Sequence, residues 1–147
     1  MEERFRNFTL LMNSINRSIH KLKTAEMAEF DLKSSHVSCL YYLYKEEMTA
    51  TELSEACNED KANISRAVKY LEENGYLKCR SQARKRYQTP IYLTEKGRSV
   101  AGGIVEKIDN ILEEVSCDLS EEDRIIMYRS LSRVAENLQR ICFKYEN

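Results

Sequence analysis

One hundred and forty-seven residues, 42% of them hydrophobic, fit a single domain with one core. Four Gly and one Pro among abundant Leu, Ile, Lys and Glu exclude a turn-rich sandwich or barrel and predict a mainly helical chain. The net charge of −1 argues against a nucleic-acid partner only as an average: from Lys61 to Arg98, ten Lys and Arg stand against three Glu, a net +7, so the remainder carries −8.

Such segregation suggests one specialised basic surface, the plainer reading being a solvated face of uneven charge. No stretch approaches the roughly 18 uninterrupted apolar residues of a membrane span, and the charged start, Met1-Glu2-Glu3-Arg4, directs no export. A cytoplasmic protein without membrane contact is expected. Five cysteines, Cys39, Cys57, Cys79, Cys117 and Cys142, are odd in number, widely spaced and never in Cys-x-x-Cys. They read as reduced thiols.

Phe5, Phe8, Met12, Ile15, Ile19 and Leu22 recur at spacings of three and four, one stripe of a long first helix. Leu32 opens a second pattern through Val37, Leu40, Leu43 and Tyr44, with Ser34 and Ser35 as expected caps. Thr49-Ala50-Thr51-Glu52 reads as a capping box at the start of a short helix that turns Leu53 and Ala56 inward. After the polar break Asn58-Glu59-Asp60, a fourth helix carries Ile64, Val68 and Leu71 inward and ends before Asn74-Gly75, a left-handed cap. Two short helices across a tight polar turn make a helix-turn-helix pattern, although the turn lacks the Gly often found there.

Tyr76, Leu77 and Cys79, then Ile91, Tyr92 and Leu93, are short β-prone runs around a polar tip, Ser81 to Thr89, which predicts a hairpin wing. Thr94-Glu95-Lys96-Gly97 starts a helix with Val100, Ile104, Ile108, Ile111 and Val115 on its stripe, and the Gly102-Gly103 pair is a place for it to bend. Ser120 is the expected N-cap of a last helix bearing Ile126, Leu131, Val134, Leu138, Ile141 and Tyr145. The expected architecture is mainly α with a small β-hairpin wing: one domain over 1–147, with a DNA-binding lobe at 30–98 and dimerisation helices at 1–29 and 99–147. The terminal helices exceed what covers so small a lobe, so a second copy is expected, its two-fold axis setting two recognition helices side by side. A separation of about 34–36 Å would place them in successive major grooves of a near-palindromic duplex.

On the fourth helix Ala62, Ser65, Arg66 and Lys69 share a face opposite Ile64, Val68 and Leu71. Small Ala62 and Ser65 permit close approach to base edges, Asn63 and Arg66 carry donors suited to adenine or guanine, Lys69 suits phosphate, and Lys61 stands with them as a DNA-binding candidate. A plain solvated face is the alternative. Arg84, Lys85 and Arg86 at the wing tip, with Gln88, suit a narrow, electronegative minor groove. Arg80 at the wing base has two roles open to it, phosphate contact or brace.

Asp60-Lys61-Ala62-Asn63-Ile64-Ser65-Arg66, Leu71-Glu72-Glu73-Asn74-Gly75-Tyr76-Leu77 and Leu93-Thr94-Glu95-Lys96-Gly97-Arg98, in this order over nearly the whole chain, resemble the MarR family of bacterial regulators. The resemblance implies a winged-helix homodimer that represses nearby genes until a small molecule or oxidation relieves binding. One departure stands out: where such wings commonly carry an Asp two residues before an Arg, this chain has Lys85 and Tyr87, with Arg86 between them. The usual bracing ion pair is missing.

The resemblance also implies a ligand cleft beside the second helix, where His36, Tyr41, Tyr42 and Tyr44 would meet an aromatic effector; packing is the other reading of these rings. Cys79, beside Lys78 and Arg80, is the cysteine best placed for redox sensing, with a buried structural role as its alternative. Only His20 and His36 are available to zinc, so neither metal nor cofactor is expected. No phosphate-binding Gly loop, nucleophile elbow or His-Glu-x-x-His is present, which argues against an enzyme. A helical adaptor that binds only protein would use the same amphipathic helices but leaves the basic wing and helix face unexplained.

Overall fold

The structure, a computed structural model, describes residues 2–80 and 88–146. The elements run α1 (Glu2–Glu26), a 3-10 turn (Ala28–Phe30), α2 (Ser34–Lys45), α3 (Ala50–Cys57), α4 (Lys61–Glu73), β1 (Leu77–Cys79), β2 (Ile91–Leu93), α5 (Glu95–Val115) and α6 (Glu121–Phe143). The mainly helical chain with a small antiparallel hairpin matches the expected fold class. Its internal contacts divide it into two compact units, Met1–Ile108 and Asp109–Asn147.

The first unit is organised around Val37, Cys39, Leu40 and Leu43 of α2, Leu53 of α3, Ile64, Ala67 and Leu71 of α4, and Leu77, Ile91 and Leu93 of the hairpin, all buried. Ala101 and Ile104 of α5 complete this core. The inward stripe of α4 is therefore Ile64, Ala67 and Leu71, with Val68 half-buried at its margin. A two-stranded hairpin is marginal alone in water. Here the Leu77↔Leu93 and Cys79↔Ile91 pairs seat three buried side chains in the core, and β2 gains a further partner through an antiparallel bridge between Met48 and Ile91.

Local chemistry sets the helix-turn-helix. Thr49 Oγ1 accepts from Glu52 N at 3.2 Å while Glu52 Oε2 accepts from Thr49 N at 2.8 Å, the reciprocal box read from the sequence. Asn58 takes the role of the missing Gly: it adopts φ 52°, a left-handed conformation that Asn tolerates better than most side chains. Ser54 Oγ closes the turn by donating to Glu59 O at 2.7 Å, and Asp60 Oδ1 caps α4 by accepting from Asn63 N at 2.7 Å. At the far end of α4, Tyr76 N donates to Leu71 O and Gly75 N to Glu72 O, with Gly75 at φ 79°. This is a Schellman termination, which favours Gly at that position.

One local expectation is corrected. Ser34 and Ser35 do not cap α2; they are its first two residues, and the N-cap is Lys33, whose N–H donates to His36 Nδ1 at 3.1 Å. An imidazole three residues on satisfies a donor as a Glu or Gln would. The helix α5 runs unbroken through Gly102-Gly103, where a Cβ would meet Tyr44 at 3.6 Å and Phe30 at 3.4 Å, so the glycines admit neighbouring rings.

The start of α5 is locked to the end of α4. Thr94 Oγ1 donates to Gly75 O at 2.6 Å and accepts from Gly97 N at 3.1 Å, Thr94 N donates to Tyr76 O at 3.1 Å, and Lys96 Nζ donates to Asn74 O at 2.8 Å. Further along α5, Lys107 pairs with Glu29 at 2.6 Å and donates to Glu26 O at 3.1 Å, holding the end of α1. On α1, Phe5, Ile15, Ile19 and Leu22 of the predicted stripe are exposed. In the second unit, α6 begins at Ser120, whose Oγ accepts from Asp123 N at 3.0 Å, and buries none of its residues in the single chain.

Candidate nucleic-acid interface

Because α4 buries Ile64, Ala67 and Leu71, its helical period turns Lys61, Ala62, Asn63, Ser65, Arg66 and Lys69 to solvent. The polar residues on this face alternate donors and cations with small side chains. The Arg66 guanidinium donates to the Asn63 amide oxygen, so two groups taken singly from the sequence form one unit that presents the Asn63 amide N–H donors and the free edge of the guanidinium outward.

Two clefts flank this helix. One, of about 450 Å³, is lined by Ala50, Thr51, Lys61, Ser65, Val68 and Cys79 among others. The second, of about 730 Å³, lies between Thr24, Leu32, His36 and the α4 residues Asn63, Arg66 and Tyr70. His36 is buried, and its ring stacks on Tyr70 at a centroid distance of 4.3 Å and 7° between planes. Burial, and secondarily the Lys33 ammonium, holds its pKa below the ordinary 6.5, in keeping with a neutral ring whose Nδ1 accepts a hydrogen bond. Tyr41 and Tyr44 do not line this cleft: Tyr41 meets Tyr42 edge-on at 5.2 Å beneath Lys45, and Tyr44 lies beside Gly102 under the Arg98 guanidinium.

Arg80 forms a two-pronged ion pair with Glu47, its Nε donating to Glu47 Oε2 at 2.7 Å and its Nη2 to Oε1, and its guanidinium lies 4.9 Å from the centre of the Tyr92 ring. The hydrogen bonds between them lower the Glu47 pKa and raise that of Arg80. Both side chains are exposed, so water screens the charge and the fork geometry matters more than the Coulomb attraction. Of the two roles open to Arg80, this contact supplies the brace, tying β1 to the segment after α2. Nothing in the sequence marked Glu47, because the pair is 33 residues apart. Asp60 is likewise not marked as a cap by the sequence reading, although an Asp before Lys61-Ala62-Asn63 has the spacing of an N-cap.

Arg84, Lys85 and Arg86 lie outside the described residues, as does Tyr87; Gln88 is exposed next to buried Thr89. Among the described residues no cluster of three His, Cys, Asp or Glu could hold a metal ion, and no helix is long and apolar enough to cross a membrane. Cys79 is half-buried in β1.

A sequence model of the winged helix DNA-binding domain matches residues 35–112. The uncharacterised HTH-type transcriptional regulator YwoH of Bacillus subtilis is 31% identical over 118 residues, which span 78% of this chain and 85% of that protein. Among solved structures, NMB1585, a MarR family regulator from Neisseria meningitidis, superposes with a TM-score of 0.84 at 18% identity, over 96% of this chain and 97% of that one. The S. aureus MepR–DNA complex gives 0.78 at 19% identity over 89% and 96%. With the helix-turn-helix and hairpin in place, the chain belongs to the winged helix DNA-binding domain family of HTH-type transcriptional regulators, and its fold is that of the MarR family structures.

Proposed function

We propose that this chain represses transcription as a homodimer bound to a near-palindromic duplex, with α4 in the major groove and the hairpin reaching the adjacent minor groove. The observation that carries this reading is the exposed row Lys61, Asn63, Ser65, Arg66 and Lys69 on a helix whose opposite side is core. Asn63 and Arg66 read base edges as a hydrogen-bonded unit; Lys61 and Lys69 neutralise phosphates. Arg84, Lys85, Arg86 and Gln88 add minor-groove affinity, and Arg80 holds the hairpin base through Glu47. MepR, similar in fold, is captured on DNA, which supports the same use of the fold here.

A second copy is needed for apolar surface the single chain leaves in water: Phe5, Ile15 and Ile19 on α1, and Ile126, Leu138 and Ile141 on α6. Full burial of each such side chain contributes about 1.5–3 kcal/mol, enough in sum to drive association. Repression follows from occupancy that excludes polymerase. The cleft beside His36 supports relief by a small molecule, because an effector seated against Tyr70 would compete for the Asn63 and Arg66 side chains that line it.

Selection of bound duplexes from a random pool tests the proposal. An inverted repeat whose half-sites lie about one helical turn apart is expected, with affinity falling steeply as salt rises. Recovery of no preferred sequence, or affinity indifferent to salt, would refute it. Light scattering tests assembly separately: a persistent species at the 17.3 kDa monomer mass would remove the dimer.

A further inference from the structure

The backbone ladder of the hairpin is short. Leu77, Lys78 and Cys79 pair with Leu93, Tyr92 and Ile91, and beyond them Arg80 N donates to Pro90 O at 2.9 Å. Pro90 has no N–H to give in return, so the backbone alone holds this end of β1 by a single bond. The Arg80 side chain adds to it: its Nε and Nη2 donate to the two carboxylate oxygens of Glu47, and its guanidinium rests on the Tyr92 ring.

The Glu47 side of this fork is anchored to the helix-turn-helix. Its neighbour Met48 exchanges two backbone bonds with Ile91, Ile91 N donating to Met48 O at 2.8 Å and Met48 N to Ile91 O at 3.3 Å. One residue further on, Thr49 is the N-cap of α3. A two-bonded fork on such an anchor sets both the distance and the plane of the guanidinium, which a single ammonium bond would not. Both side chains face water, so the pair contributes little to folding stability, and its effect lies in geometry.

We propose that Glu47 is a positioning residue for DNA binding, an acidic side chain that raises affinity for a polyanion by fixing the direction of the hairpin through Arg80. This role rests on the DNA-binding reading and adds to it a residue whose charge has the wrong sign for contact with phosphate. A plain surface carboxylate in the DNA-binding lobe repels the duplex, so removing its charge should tighten binding. Glu47 acts in the opposite sense, because the residue it holds is the one from which the chain runs on to Arg84, Lys85 and Arg86.

The test measures binding of the full chain to the selected duplex and to a scrambled one by fluorescence anisotropy. Glu47→Gln keeps the shape of the side chain and removes its charge. At about 0.15 M salt, one phosphate contact at a slope of about 0.9 is worth about fivefold in affinity. A loss of at least that size is expected on both duplexes, with their ratio unchanged because the base-reading face of α4 is untouched. Unchanged or tighter binding would overturn the proposal. Arg80→Lys keeps the positive charge and removes the fork, so it should weaken binding comparably, and the double variant should lose no more than the weaker single one. Additive losses, or wild-type affinity in Arg80→Lys, would mean that the two residues act separately and would overturn the positioning role. Amide hydrogen exchange without DNA gives an independent readout: Arg80 N and Ile91 N should exchange faster in Glu47→Gln, with Ala67 N and Leu71 N of α4 unchanged. Unaltered exchange at Arg80 and Ile91 overturns the proposal. Absence of any duplex bound by the wild type, with exchange at Arg80 and Ile91 still faster in the variant, overturns the functional reading and leaves Glu47 as the residue that holds the hairpin.

Discussion

Replacing Gly97 with alanine tests the lock between α4, the hairpin and α5. A Cβ at this position would fall inside the van der Waals envelope of the Tyr76 carbonyl oxygen, with the Tyr76 carbonyl carbon 2.8 Å and its Cα 3.2 Å away. The obstruction is backbone, so no rotamer relieves it, and the two backbone segments must separate by about 1.5 Å to restore normal contact. That movement overpacks a buried position, at about 1–3 kcal/mol, and stretches the Thr94 N to Tyr76 O hydrogen bond, worth about 1 kcal/mol. The expected loss is about 2–4 kcal/mol, or roughly 6–12 °C in Tm for a chain of this size. Gly103→Ala is the matched control, since its Cβ would meet only the Phe30 ring at 3.4 Å. It should be neutral or stabilising by up to about 1 kcal/mol through helix propensity. Urea denaturation of both variants, followed by circular dichroism, gives the comparison. A Gly97→Ala loss below about 0.5 kcal/mol, or equal losses from both, would refute the argument from backbone approach.

Arg66→Ala should cost about 1–3 kcal/mol on the selected duplex and relax base preference, whereas Lys69→Ala should weaken all sequences alike and reduce the salt slope by about one; fluorescence anisotropy on matched and scrambled duplexes separates the two outcomes. Thr49→Ala removes the hydroxyl that accepts from Glu52 N, while the backbone N–H of residue 49 still donates to Glu52, and should lower stability by about 1 kcal/mol, measured by urea unfolding. His36 gives a pH dependence of defined sign. Its folded pKa is depressed, so its contribution is fully present above the unfolded value of 6.5 and is lost as pH falls from there through the folded pKa. In that window the unfolded chain binds up to one more proton, for a slope of at most about 1.4 kcal/mol per pH unit. A His36→Gln variant should show a flatter profile as pH falls below 6.5, and an unchanged slope would count against the buried neutral imidazole.

Features carried by contiguous residues were legible before any fold was known. The Thr49 box, the Ser120 cap, the Gly75 termination and the period of Ile64 and Leu71 each depend on bonds or burial within one or two helical turns, and each appears as read. The exposed face of α4 follows from that period alone. The Thr94-Glu95-Lys96-Gly97 stretch was legible as a helix start, while its second task, clasping the end of α4, needed residues 19 and 22 positions away to come within hydrogen-bond distance.

Pairings across the fold were decided only by tertiary structure. Glu47 finds Arg80 and His36 stacks on Tyr70 because α2, α4 and the hairpin share one core. Sequence spacing does not encode the distance between side chains on different elements; packing sets it. Composition, periodicity and capping thus determined a winged helix-turn-helix with a basic recognition face. Close packing of buried side chains determined which of its charged and aromatic groups became partners.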